Sequence, residues 1–157
     1  MPPPAILDPR TLDLSNIIAD RDAIGELNLH RHEFALLDAV VYADEENAIF
    51  AGYHDVRPDA FWVRGHVPER PLFPGVLMLE SAAQLASYMR AKLINQEGFF
   101  GLTGVDQVKY RGTVEPPSRY VVVAKGVDVR PRRTRCLAQG FVDGTMVFEA
   151  MITGMMV

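Results

Sequence analysis

The sequence contains a single cysteine, Cys136, among its 157 residues. One cysteine cannot form an intramolecular disulfide, so nothing in the chain requires an oxidising compartment. No apolar run approaches the ~20 residues needed to cross a bilayer. The first ten residues, MPPPAILDPR, lack the basic and then apolar pattern of a secretion signal. These absences predict a cytoplasmic protein without a membrane span.

Basic residues are scarce in the first part of the chain. Residues 1–60 contain four Lys and Arg against twelve Asp and Glu, whereas residues 61–157 contain twelve against eight. The formal net charge is −4. Since a nucleic-acid binding face needs a strong excess of positive charge, this balance argues against nucleic acid as a partner. The basic second part could still present a local patch to an acidic partner.

Several motifs of common sites are missing. The sequence has no H-E-x-x-H, C-x-x-C, G-x-G-x-x-G or G-x-S-x-G, and no phosphate-binding P-loop. His30 and His32 lie on one side of an extended segment, but no further metal ligand has a suitable spacing. Cys136 has no base nearby in sequence. We therefore expect neither a metal ion nor a cofactor, and no serine or cysteine nucleophile.

The composition, 48% hydrophobic and 23% charged, is that of one ordinary globular domain. We expect an irregular arm over 1–24, with a short helix at 16–22 capped by Asp13 or Ser15. A single folded domain should follow over 25–157. A long helix is predicted at 75–93. Six strands are predicted, at 34–42, 48–53, 107–114, 120–129, 134–142 and 145–153.

Prolines and one dipeptide fix where these elements end. Four prolines between Arg57 and Pro74 predict a stiffened loop before the long helix. The dipeptide Asp143–Gly144 favours a type I′ hairpin between the last two strands. Because apolar residues surround the first half of the long helix, it should be buried. The order predicts an α+β fold, with an antiparallel sheet wrapped around one central helix.

Three features of the loop and helix are candidates for chemistry. Glu80 and Gln84 are one turn apart in an apolar helix, and burial would raise the pKa of the carboxyl toward that of a general acid. The alternative is a Glu80 face that meets solvent or another subunit. His66 lies on the proline-rich loop, where a lone histidine is more often structural. The N–H of Gly75 is free at the helix start to bind an oxyanion, or is simply an ordinary helix terminus.

Together these residues resemble a known family. Residues 61–84, FWVRGHVPERPLFPGVLMLESAAQ, are similar to the hallmark segment of the 3-hydroxyacyl-acyl carrier protein dehydratases, G-H-F-P-x-x-P-x-x-P-G-V-L-x-x-E-x-x-x-Q. The resemblance extends loosely over 25–155, with Val67 in place of the usual Phe. Ten residues fall in register: Gly65, His66, Pro68, Pro71, Pro74, Gly75, Val76, Leu77, Glu80 and Gln84.

The resemblance implies a hotdog fold and the conversion of a (3R)-3-hydroxyacyl thioester to the trans-2-enoyl thioester. His66 would remove the C2 proton, and Glu80 would protonate or orient the leaving hydroxyl. Gly75 and Val76 would bind the substrate at the helix start, and Gln84 would hold Glu80. Members that also isomerise the double bond tend to carry Asp at the position of Glu80, which implies dehydration without isomerisation here.

The resemblance also implies partners. In this family the histidine and the glutamate of one site come from different subunits, so the chain should form at least a dimer, or a trimer of dimers. The substrate would arrive on an acidic acyl carrier protein, in fatty-acid or related lipid or polyketide synthesis. Four basic residues near the loop and the following strand are the candidate docking contacts: Arg64, Arg70, Lys109 and Arg111.

Two other functions fit a hotdog chain. An acyl thioesterase would hydrolyse the thioester, but such enzymes rarely carry the proline-rich loop found here. A non-catalytic acyl-binding protein would need neither His66 nor Glu80.

Overall fold

The computed structural model describes residues 1–157. Two α-helices and six strands form its framework, with short 3₁₀ turns at Pro9–Thr11 and His32–Phe34. None of the helices has the length and apolar character to span a bilayer. The elements are α1 (Arg21–Leu27), β1 (Ala39–Asp44), β2 (Ile49–Val56), α2 (Gly75–Leu93), β3 (Phe100–Tyr110), β4 (Ser118–Val129), β5 (Arg133–Val142) and β6 (Thr145–Met156).

Helix α2 has the predicted bounds and is the centre of the fold. Pro74 precedes its first turn, and Arg90 and Lys92 lie in its last turn, where the helix dipole favours cations. Ten of its nineteen residues are buried. The largest apolar cluster of the chain lies between this helix and the inner face of the sheet. The predicted loop over 57–74 contains no helix or strand.

All six strands belong to one antiparallel sheet in the order β1-β2-β4-β5-β6-β3. The sheet wraps around α2, which is the hotdog arrangement that the resemblance implied. Asp143 (φ 50°) and Gly144 (φ 79°) form the predicted tight turn between β5 and β6. Strands β1 and β3 are the two edges, so β3 leaves a row of backbone groups unpaired on its outer side.

Three predicted elements were misplaced, and two strands are longer than predicted, since β2 ends at Val56 and β6 at Met156. The first helix begins at Arg21 because the side chain of Asp20 caps it through Ala23 N, whereas Asp13 forms a local turn with Ser15. Strand β1 begins only at Ala39, after the 3₁₀ turn. Strand β3 runs over 100–110 instead of 107–114, and its two register shifts interrupt the alternation that marks a strand in the sequence.

The N-terminal arm covers part of the outer face of the sheet. Ile6, Leu7 and Leu12 pack on an apolar cluster of four residues, namely Ala51, Val123, Phe141 and Met146. Gln139 is buried beneath the arm, where its Oε1 accepts from Ile6 N (2.8 Å) and its Nε2 donates to Pro4 O (3.1 Å). The arm therefore shields this part of the outer face from solvent.

Candidate active site

Glu80 lies in the second turn of α2 and is its only acidic residue. Its side chain keeps about a fifth of its surface exposed. Burial alone would raise the pKa of this carboxyl. Hydrogen bonds from His30 and Gln84, together with the charge of His30, outweigh burial and hold the pKa below its ordinary value of 4.5. The expectation of a raised pKa was therefore wrong for this chain.

Gln84 fixes Glu80 and the preceding loop at the same time. Its Nε2 donates to Glu80 Oε1 (2.9 Å) and to Phe34 O (2.8 Å). Its Oε1 accepts from the backbone N–H groups of Leu36 (3.0 Å) and Leu37 (3.3 Å). Gln84 is 2% exposed, and both the oxygen and the nitrogen of its amide form hydrogen bonds. Because every polar group of the side chain is occupied, Gln84 has little freedom to leave this position.

His30 is the neighbour of Glu80 that sequence reasoning missed. Its Nε2 lies 3.3 Å from Glu80 Oε1, and its ring stacks on Phe34 with the centroids 6.5 Å apart. The other ring nitrogen, Nδ1, is buried and has no hydrogen-bond partner. In the sequence His30 has no assigned role, because its pairing with His32 lacks the further ligands of a metal site. Only the fold, which brings the segment before β1 onto α2, reveals the contact with Glu80.

A cavity of about 400 Å³ opens beside Glu80 and extends along one face of α2. On the helix it is lined by Glu80, Ala83, Ser87 and Arg90, which recur at helical spacing and are small in the middle. Opposite them, the first residues of β3 and parts of β5 and β6 complete the wall. The arrangement provides a narrow groove with a carboxylate near the N-terminal end of the helix.

His66 is exposed on the proline-rich loop and does not contact Glu80 within the chain. Its Nδ1 lies 2.7 Å from the carbonyl oxygen of Leu72. Since a carbonyl can only accept, Nδ1 carries the proton, which leaves the lone pair of Nε2 available as a base. The loop thus holds the imidazole in the orientation and tautomer that a general base requires.

Gly75 and Val76 begin α2, and their N–H groups have no acceptor within the chain. Val76 is exposed. A Cβ at Gly75 would lie 2.7 Å from Cε1 of Tyr110 and 3.0 Å from its Cζ, so the close approach of this ring requires glycine. The helix start therefore presents unpaired backbone donors beside an aromatic ring.

The four predicted docking residues differ in their contacts. Arg70 pairs with Glu115 (2.9 Å) on the surface, and Arg111 pairs with Glu149 (3.1 Å) in a half-buried position. Arg64 and Lys109 are exposed and form no ion pair. Of the four, only Arg64 and Lys109 offer charge that no acidic side chain already neutralises.

A second polar cluster has a structural role. Asp38 Oδ2 lies 3.3 Å from His54 Nδ1 and accepts from Asp55 N (2.7 Å), while Oδ1 faces Arg21 (3.2 Å) and Arg57 (3.6 Å). Although burial opposes them, these partners hold the pKa of Asp38 below its ordinary value. The cluster ties α1 to β1 and β2. No group of three or more His, Cys, Asp or Glu is placed to hold a metal ion.

Known proteins match this chain over most of its length. Residues 28–151 match the FabA-like domain. The curated 3-hydroxyacyl-[acyl-carrier-protein] dehydratase FabZ of Sorangium cellulosum (strain So ce56) is 31% identical over 144 residues, which cover 90% of this chain and 88% of the relative.

Solved structures share the fold at low identity. The dehydratase heterocomplex ApeI:P from Xenorhabdus doucetiae superposes with a TM-score of 0.72 at 13% identity, covering 85% of this chain and 90% of that one. A phenylacetic acid degradation-related protein from Ralstonia eutropha JMP134 has a TM-score of 0.63 at 9% identity, covering 74% and 83%. Since the domain match and the curated relative each span most of the chain, it belongs to the FabA-like family of hotdog proteins.

Proposed function

We propose that this chain is a 3-hydroxyacyl-[acyl-carrier-protein] dehydratase that acts in fatty-acid or related lipid synthesis in the cytoplasm. The observation that carries the proposal is that the chain presents both a base and an acid. His66 has a free Nε2, and Glu80 is held by His30 and Gln84 beside a groove. The similarity to the curated dehydratase of Sorangium cellulosum supports the same reaction.

The proton balance assigns one role to each residue. Neutral His66 takes the C2 proton and becomes an imidazolium. Protonated Glu80 gives its proton to the departing C3 hydroxyl, which leaves as water while the C2–C3 double bond forms. Hydration, the reverse reaction, starts from the imidazolium and the ionised carboxylate. The lowered pKa of Glu80 in the free chain favours the carboxylate, the form that activates water for hydration.

The N-terminus of α2 supplies the remaining charge stabilisation. Removing the C2 proton places negative charge on the thioester oxygen. The N–H groups of Gly75 and Val76 have no partner within the chain and lie at the positive end of a nineteen-residue helix. Donors fixed in this way stabilise an oxyanion without reorganising when it forms. A Cβ at position 75 would collide with the ring of Tyr110, so the packing of this ring beside the donors requires glycine.

A second copy of the chain completes the proposed site. His66 and Glu80 make separate contacts within one chain, to Leu72 and to His30 and Gln84. Strand β3 is an unpaired edge that exposes Leu102 and Tyr110 to about half of their full area. Pairing of β3 with the same strand of another copy would cover this edge. His66 of one subunit would then serve Glu80 of the other.

Two short thioesters test the proposed reaction. The protein is incubated with 3-hydroxybutyryl and with crotonyl N-acetylcysteamine, and the acyl products and released thiol are measured. Interconversion of the two thioesters without thiol release supports dehydration. Thiol release would indicate a thioesterase, and no change in either substrate would indicate a binding protein. With a longer substrate, 3-hydroxydecanoyl N-acetylcysteamine, a cis-3-enoyl product would contradict dehydration without isomerisation.

A further inference from the structure

Arg90 is a buried cation that uses only part of its hydrogen-bonding capacity. The residue is 4% exposed, and a guanidinium group has five N–H donors. Only Nη2 is bonded, to Pro131 O (2.9 Å), Gln96 Oε1 (3.3 Å) and Met156 Sδ (3.2 Å). Nε is buried without any partner. Part of the guanidinium group is thus dry and unsatisfied.

No carboxylate compensates this charge within the chain. The guanidinium carbon lies 4.6 Å from the ring centre of Phe100, and no acidic side chain is within ion-pair distance. Burial therefore lowers the pKa of Arg90, although arginine stays charged in proteins. A buried, unpaired charge is costly, so the site is complementary to an anion or another hydrogen-bond acceptor.

The groove that begins at Glu80 also reaches Arg90. Both residues line the cavity of about 400 Å³, and ten residues of helix separate them by ~15 Å. Thr134 lines the same cavity and is also buried, and its Oγ1 has no hydrogen-bond partner. Two buried polar groups without partners therefore line the groove, and one of them, Arg90, lies well away from the proposed chemistry.

We propose that the groove binds acyl chains whose far end carries a carboxylate, held by Arg90 and Thr134 while the reacting end lies at Glu80. This inference rests on the proposed function, because it names the substrate class of that site. A carboxylate would accept charge-assisted hydrogen bonds from the unpaired N–H groups of Arg90 and a further bond from the Thr134 hydroxyl. Small residues on the helix face between, Ala83 and Ser87, leave room for the methylene chain.

The acidic residues around the groove do not cancel this preference. Glu26 and Glu97 also line the cavity, but both are exposed and neither pairs with Arg90. Charges in contact with water act weakly on a buried site because solvent screens them. Arg90 is the one Arg or Lys that lines the groove, and its burial protects its charge from this screening.

Matched substrates test the inference on the wild-type protein. Two series of trans-2-enoyl N-acetylcysteamine thioesters of increasing length are compared, one ending in a methyl group and one in a carboxylate. We expect kcat/KM at the best length to favour the carboxylate roughly ten- to hundredfold, the range for a hydrogen bond to a charged group. Equal kcat/KM values, or a preference for methyl at every length, would overturn the inference.

A binding measurement separates this inference from the proposed function. Unreactive thioether analogues of both series are titrated into the protein by calorimetry, which requires no turnover. If crotonyl thioester is not hydrated but the carboxylate analogue still binds more tightly, the proposed reaction fails and the ligand class stands. If crotonyl is hydrated but both analogues bind equally, the reaction stands and the ligand class fails.

Substitution of Arg90 identifies the group responsible. Arg90→Met should remove the preference for the carboxylate series, and Arg90→Lys should retain part of it. The control Lys92→Met changes an exposed cation on the same helix and should keep the wild-type preference. If Arg90 serves only to tie α2 to the turn at Pro131, Arg90→Met will lower activity on both series equally, which would contradict the proposal.

Discussion

His30 Nε2 lies 3.3 Å from Glu80 Oε1, although fifty positions separate the two residues in the sequence. A carboxylate oxygen can only accept, so the imidazole donates this hydrogen bond. The contact, aided by Gln84, keeps the pKa of Glu80 below 4.5 despite burial. The residue that sets the protonation of Glu80 is thus a histidine other than the proposed base, His66.

Replacing His30 should move the pH dependence of hydration. Hydration starts from ionised Glu80, so the acidic limb of its kcat/KM profile follows the pKa of this carboxyl. In wild type the pKa of Glu80 is lowered, so we expect that limb at a lower pH than an ordinary glutamate would give. His30→Asn removes the hydrogen bond and the charge of the imidazole, so only Gln84 still opposes the effect of burial and the limb shifts to higher pH. The profile is measured with crotonyl N-acetylcysteamine.

His32→Asn is the matched control for this experiment, because His32 is exposed and has no contact with Glu80. Asn also tolerates the positive φ of 55° at that position. The control should keep the wild-type limb. An unchanged limb in His30→Asn would show that His30 does not control the protonation of Glu80.

Gln84→Ala should reduce the free energy of unfolding by about 1–3 kcal/mol, since it leaves the buried N–H group of Leu37 without an acceptor and that of Leu36 with only Phe34 O (3.0 Å). Gln84→Glu keeps an acceptor for both but places a second carboxylate beside Glu80, which should raise the pKa of Glu80. Denaturant unfolding measures the first effect. The control Asn16→Ala removes an exposed amide and should change stability little. Equal losses in both alanine variants would contradict this role of Gln84.

Local sequence signals predicted the centre of the fold well. Helix α2 is indicated by Pro74, by the apolar run after it and by the cations Arg90 and Lys92 in its last turn. The last hairpin turn is indicated by Asp143–Gly144. Each signal acts within a few residues of the structure that it predicts. The edge strand β3 was placed too late because bulges disturb its alternation and one side of it is unpaired.

Contacts between distant segments could not be predicted in the same way. The site motif indicated Glu80 and Gln84 as neighbours, and their hydrogen bond confirms it. His30 reaches Glu80 only because Gln84 binds the backbone of 34–37 and thereby holds the segment before β1 against α2. The periodicity of the sequence does not indicate such a contact. It also gives no sign that the N-terminal arm packs over β5.

Removing residues 1–14 should expose the apolar cluster around Phe141 and Met146 on the outer face of the sheet. Gln139 would also lose both of its partners in the arm. We expect a lower melting temperature and aggregation that increases with protein concentration. A control that removes only residues 1–3 leaves these contacts in place. Equal melting temperatures for all three proteins would show that the arm does not stabilise the sheet.

Charge reversal at Arg64 or Lys109 should slow turnover of substrates on an acyl carrier protein. Both cations are exposed and unpaired, so they are free to attract an acidic partner, and the effect should be larger at low salt. A short N-acetylcysteamine thioester has no carrier, and its turnover should be nearly unaffected. The control Arg132→Glu reverses another exposed cation. Equal losses on both substrates would place the residue in the fold or active site instead.

The central claim is that one active site combines His66 of one subunit with Glu80 of another, and a mixing experiment tests it most directly. His66→Ala and Glu80→Gln should each lower turnover of 3-hydroxybutyryl thioester by roughly 10²–10⁴-fold when alone. After the two variants are unfolded and refolded together, half of the dimers are mixed and each mixed dimer has one intact site. The account predicts recovery of about a quarter of wild-type activity. Activity that stays at the level of the separate variants would contradict it.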